Sequence, residues 1–305
     1  MSLVERALKK LRESTSTPPS TAESSHGLPR ATPTTPKAPS GPRPAPPGPR
    51  AMTPVESTRV VAVDRARLRD MNLLPPPNME RPIASQYQHI KRPLVSAVLS
   101  GELGAAGHVV MLASALPAEG KTFTTINLAL SLALEKDMEV LLVDADVAKP
   151  HISRIFGIEN ERGLIDLLVD PSLRASQLIL RTDVPGLSIL PAGKPIETAT
   201  ELLASARMAE IVQQLAAPDG RRLVLFDSPP LLLTTESRVL ATSAGQVVLV
   251  VRAESTSRQA VMDAIAAIGE ETPVSLILNQ TNTPASSGYY GYGQYGESSG
   301  APQDS

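Results

Sequence analysis

The sequence has no cysteine and no tryptophan, and only 3% of its residues are aromatic. Without cysteine there is no disulfide, no thiolate metal site and no cysteine nucleophile, a composition that suits a reducing compartment. No apolar stretch approaches the ~18 residues that a membrane-spanning helix needs. The opening MSLVERALKKLRES reads as an amphipathic helix instead of a secretion signal. These traits predict a soluble, cytoplasmic protein. A surplus of either charge is missing as well: 29 basic against 31 acidic residues leave a net charge of −2, and no long basic run stands out. Nucleic acid is therefore not an expected partner.

Residues 1–13 predict a short helix, because Ser2 and Glu5 have capping-box spacing and Val4, Ala7, Leu8 and Leu11 share one face. So brief a helix is marginal alone, which makes it either a docking element or a frayed terminus. Residues 14–57, typified by PKAPSGPRPAPPGPR, hold too few large apolar side chains to offset the entropy of ordering. They read as a disordered, semi-stiff linker. One folded domain is expected over residues 58–280, with Leu, Val, Ile and Ala concentrated from about residue 79 onward, enough for a sizeable core. Residues 281–305 predict a flexible tail. There four of the five tyrosines, Tyr289, Tyr290, Tyr292 and Tyr295, alternate with glycine in SSGYYGYGQYGESSG. Tyrosine usually works in a core or an interface, and glycine resists regular structure, so these rings are presented and not packed.

Within the domain, VDRARLRDMNLLPP predicts a helical turn stopped at Pro75, and SQYQHIKRPLVSAVLSG a helix whose register is interrupted at Pro93. Lys91 and Arg92 on it could make ionic contacts, although a charge pair on a helix usually reads as a solvated face. Beyond it, the apolar runs HVVMLAS, EVLLVD, LSILPAG, RLVLFD, QVVLVV and VSLILN alternate with helices predicted over residues 122–135, 205–217 and 257–269. Runs apolar on both faces and separated by helices imply a mostly parallel sheet covered on two sides. The expected fold is a three-layer α/β domain.

The first of these strands runs into SALPAEGKT, residues 114–122, and then a helix. A strand, a short loop ending in Gly-Lys-Thr and a helix form the arrangement in which backbone N–H groups and a helix N-terminus cradle phosphates. Gly120 permits close approach, Lys121 would reach the β- and γ-phosphates, and the Thr122 hydroxyl would face Mg²⁺. The loop residues Pro117, Ala118, Glu119, Gly120, Lys121 and Thr122, with Phe123 just inside the helix, are the candidate nucleotide contacts. Ala115 stands where a standard phosphate loop has glycine. Two further strands end in acid: VLLVDAD places Asp144 at a strand end and Asp146 just beyond, and LVLFDSPP does the same with Asp227. Strand C-termini of a parallel sheet open on one edge, where ligands bind, so Lys121, Thr122, Asp144, Asp146 and Asp227 are expected to converge at a polar mouth. Three acids at one point repel unless a cation lies among them, and hard oxygen donors beside phosphate favour Mg²⁺.

The succession SALPAEGKT, VLLVDADVAKP and LVLFDSPP, closed by GYYGYGQY, resembles the bacterial tyrosine kinase family, whose members use phosphate-loop motifs. The similarity covers nearly all of residues 62–295, and VDRARLRDMNLLPP and QHIKRPL resemble the stand-alone autokinases linked to exosortase-type exopolysaccharide clusters. The resemblance implies a P-loop NTPase fold and an ATP- and Mg²⁺-dependent kinase that phosphorylates its own tail at Tyr289, Tyr290, Tyr292 and Tyr295. It gives catalytic roles to Lys121, Asp144 and Asp146, with Asp144 helping to deprotonate the incoming tyrosine, and metal contacts to Thr122, Asp146 and Asp227. Asn279, which ends the last strand, resembles an adenine-reading Asn, although Asn is also a common turn residue after a strand. Implied partners are a membrane-embedded polysaccharide chain-length or export protein acting as activator and recruiting the protein to the inner face of the membrane, neighbouring copies of the chain, and a phosphotyrosine phosphatase.

Two departures from the family pattern stand out. Ala118 occupies a position that is usually Gly, and SQYQHIK offers Ser85, Gln88 and Lys91 where a motif for ring assembly has Glu and two arginines. Two other readings stay open: a spatial-organising ATPase of the partitioning or division-site kind, and a non-catalytic ATP-binding regulator of a polysaccharide exporter. The first has a second Lys five residues before the loop Lys, where this chain has Leu116.

Overall fold

The computed structural model describes residues 60–100, 105–216 and 221–281, all within one unit, residues 53–305. The expected N-terminal helix, the linker and the tyrosine tail lie outside the described residues.

Eight strands form a single sheet. They are β1 (Val60–Val61), β2 (Val109–Ser114), β3 (Glu139–Asp144), β4 (Leu180–Thr182), β5 (Leu187–Leu190), β6 (Arg222–Asp227), β7 (Gln246–Arg252) and β8 (Val274–Asn279). Their order across the sheet is β1-β4-β5-β3-β6-β2-β7-β8. From β5 to β8 every pairing is parallel, whereas β4 runs antiparallel to β5 and β1 parallel to β4. The helices among the described residues are α1 (Arg65–Asp70), α2 (Glu80–Ser100), α3 (Lys121–Leu132), α4 (His151–Ile155), α5 (Leu164–Val169), α6 (Ala199–Leu203), α7 (Ala206–Leu215), α8 (Thr235–Ser243) and α9 (Arg258–Ile268).

The central strands are apolar throughout because alternate residues enter two different cores. On one side Val109, Met111 and Ala113 of β2 join Leu141, Val143, Val224 and Phe226 under α5 to α9. On the other, Val110 and Leu112 join Val140, Leu142, Leu223 and Leu225 beneath Leu94 and Val98 of α2 and Ile126, Leu128 and Leu132 of α3. Every residue of β2 is buried. Truncating a wholly buried side chain such as Phe226 to alanine costs about 3–5 kcal/mol, so these strands are the rigid frame on which the site is mounted.

Two expectations are corrected here. The helix over the outer face is continuous from Glu80 to Ser100 with Pro93 inside it. Pro93 is exposed, so its ring lies on the solvent side of the helix and not against the core. Lys91 is not part of a solvated face: it is 3% exposed, its Nζ donates to the Ser131 carbonyl at 3.0 Å and lies 2.6 Å from Glu135 Oε1. Arg92 is exposed. The short strands β1 and β4 extend the sheet beyond the runs that the sequence marks as strands.

Candidate nucleotide site

The loop at residues 115–120 leaves the end of β2 and turns into α3. Gly120 precedes that helix with φ 90°, and no side chain caps its first turn, so the early N–H groups of α3 are free of intramolecular side-chain acceptors. A Cβ on Gly120 would lie 1.9 Å from Asn279 Nδ2, so both the turn and the packing require glycine. Ala118 also has a positive φ, 61°, a conformation that costs a residue with a Cβ roughly 1–2 kcal/mol. That explains physically why glycine suits this position better.

Strand β6 lies between β2 and β3. The last residues of β3 and β6, Asp144 and Asp227, are therefore Cα partners next to the loop. Both are wholly buried, which corrects the expectation that they stand at an open polar mouth. Asp227 is fully engaged: Oδ1 accepts from Lys121 Nζ at 2.9 Å and from Thr125 Oγ1 at 2.8 Å, and Oδ2 accepts from Thr122 Oγ1 at 3.1 Å. Asp144 is held by Ser153 of α4, whose N–H donates to Oδ2 at 2.7 Å. Its Oδ1 is buried with no hydrogen-bond partner among the described residues. Burial pushes the Asp144 carboxyl up to about 7; the Ser153 hydrogen bonds pull it down, and the charges of Asp227 and Asp146 add to the rise. Asp146 is half-buried and accepts the Lys149 N–H at 3.0 Å. Its carboxyl is also raised by burial, against that hydrogen bond and the charge of Lys121. Like-charge repulsion is thus met by the Lys121 ammonium on Asp227 and by the raised carboxyls. Among the described residues no group of three or more His, Asp or Glu side chains is arranged to hold a metal on its own.

A cavity of about 1060 Å³ lies over these groups, lined by Pro117, Ala118, Glu119, Gly120, Lys121, Thr122, Phe123, Asp146 and Asn279, with Asp144 and Asp227 beneath its floor. Sequence reasoning missed Thr125 and His151. Thr125 lies one helical turn beyond Lys121 and also bonds the Lys121 carbonyl at 3.0 Å. His151 places Nδ1 3.5 Å from Thr122 Oγ1. Glu119 is 2% exposed and accepts from Leu116 N–H at 2.8 Å and from the Thr256 hydroxyl. Asn279, expected at adenine, directs Nδ2 to the Glu119 carbonyl at 2.9 Å.

A parallel sheet, a Gly-Lys-Thr loop leading into a helix and two strand-end aspartates define a P-loop domain, and the AAA domain family matches residues 109–276. Within that class, the tyrosine-protein kinase YwqD of Bacillus subtilis is 31% identical over 212 residues, covering 68% of this chain and 86% of YwqD. The putative tyrosine-protein kinase EpsB of Ralstonia nicotianae is 36% identical over 167 residues, 54% of this chain. The chain spans only 22% of EpsB's length. Among solved structures, the BceF tyrosine kinase domain aligns with a TM-score of 0.55 at 29% identity, covering 69% of this chain and 86% of that domain. The VpsO kinase domain aligns at 0.51 with 32% identity, covering 64% of this chain and all of that one. The chain belongs to the bacterial tyrosine-protein kinase family.

Proposed function

We propose that the protein is an ATP-dependent protein-tyrosine autokinase that phosphorylates its own tail and regulates exopolysaccharide synthesis or export. The observation that carries this reading is the triad of Lys121 and Thr122 on Asp227 with the partnerless Asp144 Oδ1 alongside. In this reading Lys121 leaves Asp227 for the β- and γ-phosphates of ATP, the loop N–H groups hold the remaining phosphate oxygens, and Asn279 lies towards the base. Asp144 takes the proton of the incoming tyrosine hydroxyl, a role that suits a carboxyl raised by burial. Phosphoryl transfer asks the protein mainly to position groups and neutralise charge.

The site suits Mg²⁺, since Thr122, Asp146 and Asp227 all offer hard oxygen donors beside the loop. Thr122, Asp146 and Asp227 would hold the ion, which when bound draws charge from the phosphate oxygens. Acceptors are Tyr289, Tyr290, Tyr292 and Tyr295. Tyr87 is unsuited, being 6% exposed, with burial holding its hydroxyl well above the usual tyrosine range. The sixteen residues from Asn279 to Tyr295 set an upper limit of ~55 Å on the reach of the last tyrosine, a short span in which to turn back. That favours transfer to a neighbouring copy over bending back. A membrane-embedded chain-length or export protein would activate and recruit the kinase, and a phosphotyrosine phosphatase would reset it.

The test is incubation of purified protein with γ-labelled ATP and Mg²⁺. Label on tyrosine supports the kinase; phosphate released only to water points to the spatial-organising ATPase, and no turnover to a non-catalytic regulator.

A further inference from the structure

The phosphate loop is gripped from a side that the phosphoryl chemistry does not use. Ala118 holds a left-handed backbone conformation, which an alanine keeps only where surrounding contacts over-determine it. Those contacts are present on both sides of it. The buried Glu119 carboxylate accepts the Leu116 N–H at 2.8 Å, bridging the loop across Ala118. Its other oxygen accepts the hydroxyl of Thr256, from the turn between β7 and α9, 137 residues away. The Glu119 carbonyl accepts Asn279 Nδ2 at 2.9 Å. The backbone of Asn279 in turn accepts the Ala253 N–H of the β7 to α9 turn at 2.9 Å. Loop, turn and the end of β8 are thus closed into one hydrogen-bonded ring of contacts, with Gly120 so close to Asn279 that a side chain there would displace its amide.

We propose that Glu119, Thr256 and Asn279 form a brace that holds the phosphate loop in its nucleotide-binding shape against the strain at Ala118. Thr256 acts through Glu119, so it is a positioning residue. The proposal rests on the nucleotide-binding reading of the loop. Its consequence is a trade: the weaker the brace, the more the loop samples other shapes, and apparent affinity falls with the fraction in the competent shape.

The experiment measures ADP–Mg²⁺ affinity by titration calorimetry on four full-length proteins: wild type, Thr256→Val, Thr256→Ser and Thr256→Val with Ala118→Gly. Thr256→Val, which removes a hydrogen bond to a buried carboxylate, weakens ADP about tenfold. Thr256→Ser, which retains the hydroxyl, binds as wild type. Ala118→Gly, which removes the left-handed strain, restores the valine variant to within about twofold of wild type. A general loss of structure would not be rescued by one glycine in the loop, and thermal melts of all four proteins confirm that each is folded. If Thr256→Val binds ADP as wild type does, or the glycine fails to restore it, the brace is wrong. If the wild type itself does not bind ADP, the nucleotide reading falls and the brace with it. Should Thr256→Val not fold, Glu119→Gln with and without Ala118→Gly takes its place, with the same expected loss and recovery.

Discussion

Asp144 and Asp227 are partners across adjacent parallel strands, both wholly buried, yet among the described residues only Asp227 has a cation against it. The same residue type at equivalent strand ends is therefore held in two different surroundings. Asp227 anchors Lys121, Thr122 and Thr125. Asp144 is a carboxyl whose pKa is raised to about 7.

Replacing Lys121 with alanine strands the buried Asp227 carboxylate. Breaking a buried pair by removing one partner costs about 3–5 kcal/mol, so Lys121→Ala is expected to lose nucleotide binding and also to melt at clearly lower temperature. Calorimetric melts of the nucleotide-free protein check this. A variant with wild-type stability would mean that the pair is open to water.

Asp144→Asn has the opposite effect on stability. The folded-state pKa of about 7 lies above the ordinary value of 3.8, so between those two values the folded state binds more protons than the unfolded chain. Stability contributed by this group then falls as pH rises through that window, and the loss is complete above about 7. The asparagine variant escapes that loss: it should melt higher than wild type at pH 8 in Mg²⁺-free buffer, and the two curves should converge near pH 4. It should at the same time be inactive.

Thr125→Val removes one hydrogen bond to Asp227 without changing shape. A hydrogen bond to a buried charge is worth about 1.5–3 kcal/mol, and Thr125 is wholly buried. Urea unfolding should show a loss of that size, and it should shrink in an Asp227→Asn background.

Transfer between copies is expected for the tail. Asp144→Asn protein with its tail intact should be labelled by active protein lacking residues 281–305, and each added phosphate brings about −1.5 to −2 charges. Four phosphotyrosines should be repelled by Asp144, Asp146 and Asp227 whenever they enter the site, and light scattering should report a smaller assembly after phosphorylation.

The parallel sheet was legible in the sequence because doubly buried strands leave unbroken apolar runs, as β2, β3, β6 and β7 do; β8 has a similar apolar run, but as an edge strand it leaves Leu276 and Leu278 exposed. Strands of two and three residues, β1 and β4, are too short to leave a period. The loop, Asp144, Asp146 and Asp227 were legible because each closes a run. Their burial was not, since a strand-end acid looks the same whether it opens on solvent or lies under a cavity floor. Lys91 shares the stripe of Tyr87, Leu94 and Val98 that faces the core, a spacing that signals burial once charge is set aside. The bond from Thr256 to Glu119 joins residues so far apart that no local pattern marks it.

The central claim is that this site transfers phosphate to the chain's own tyrosine tail. The most direct test is mass spectrometry of wild-type and Asp144→Asn protein after incubation with ATP and Mg²⁺. The account predicts phosphate on Tyr289, Tyr290, Tyr292 and Tyr295 of the wild type and none on the variant. Phosphate mainly on Tyr87 or on serine and threonine, or equal tail labelling of the variant, would contradict it.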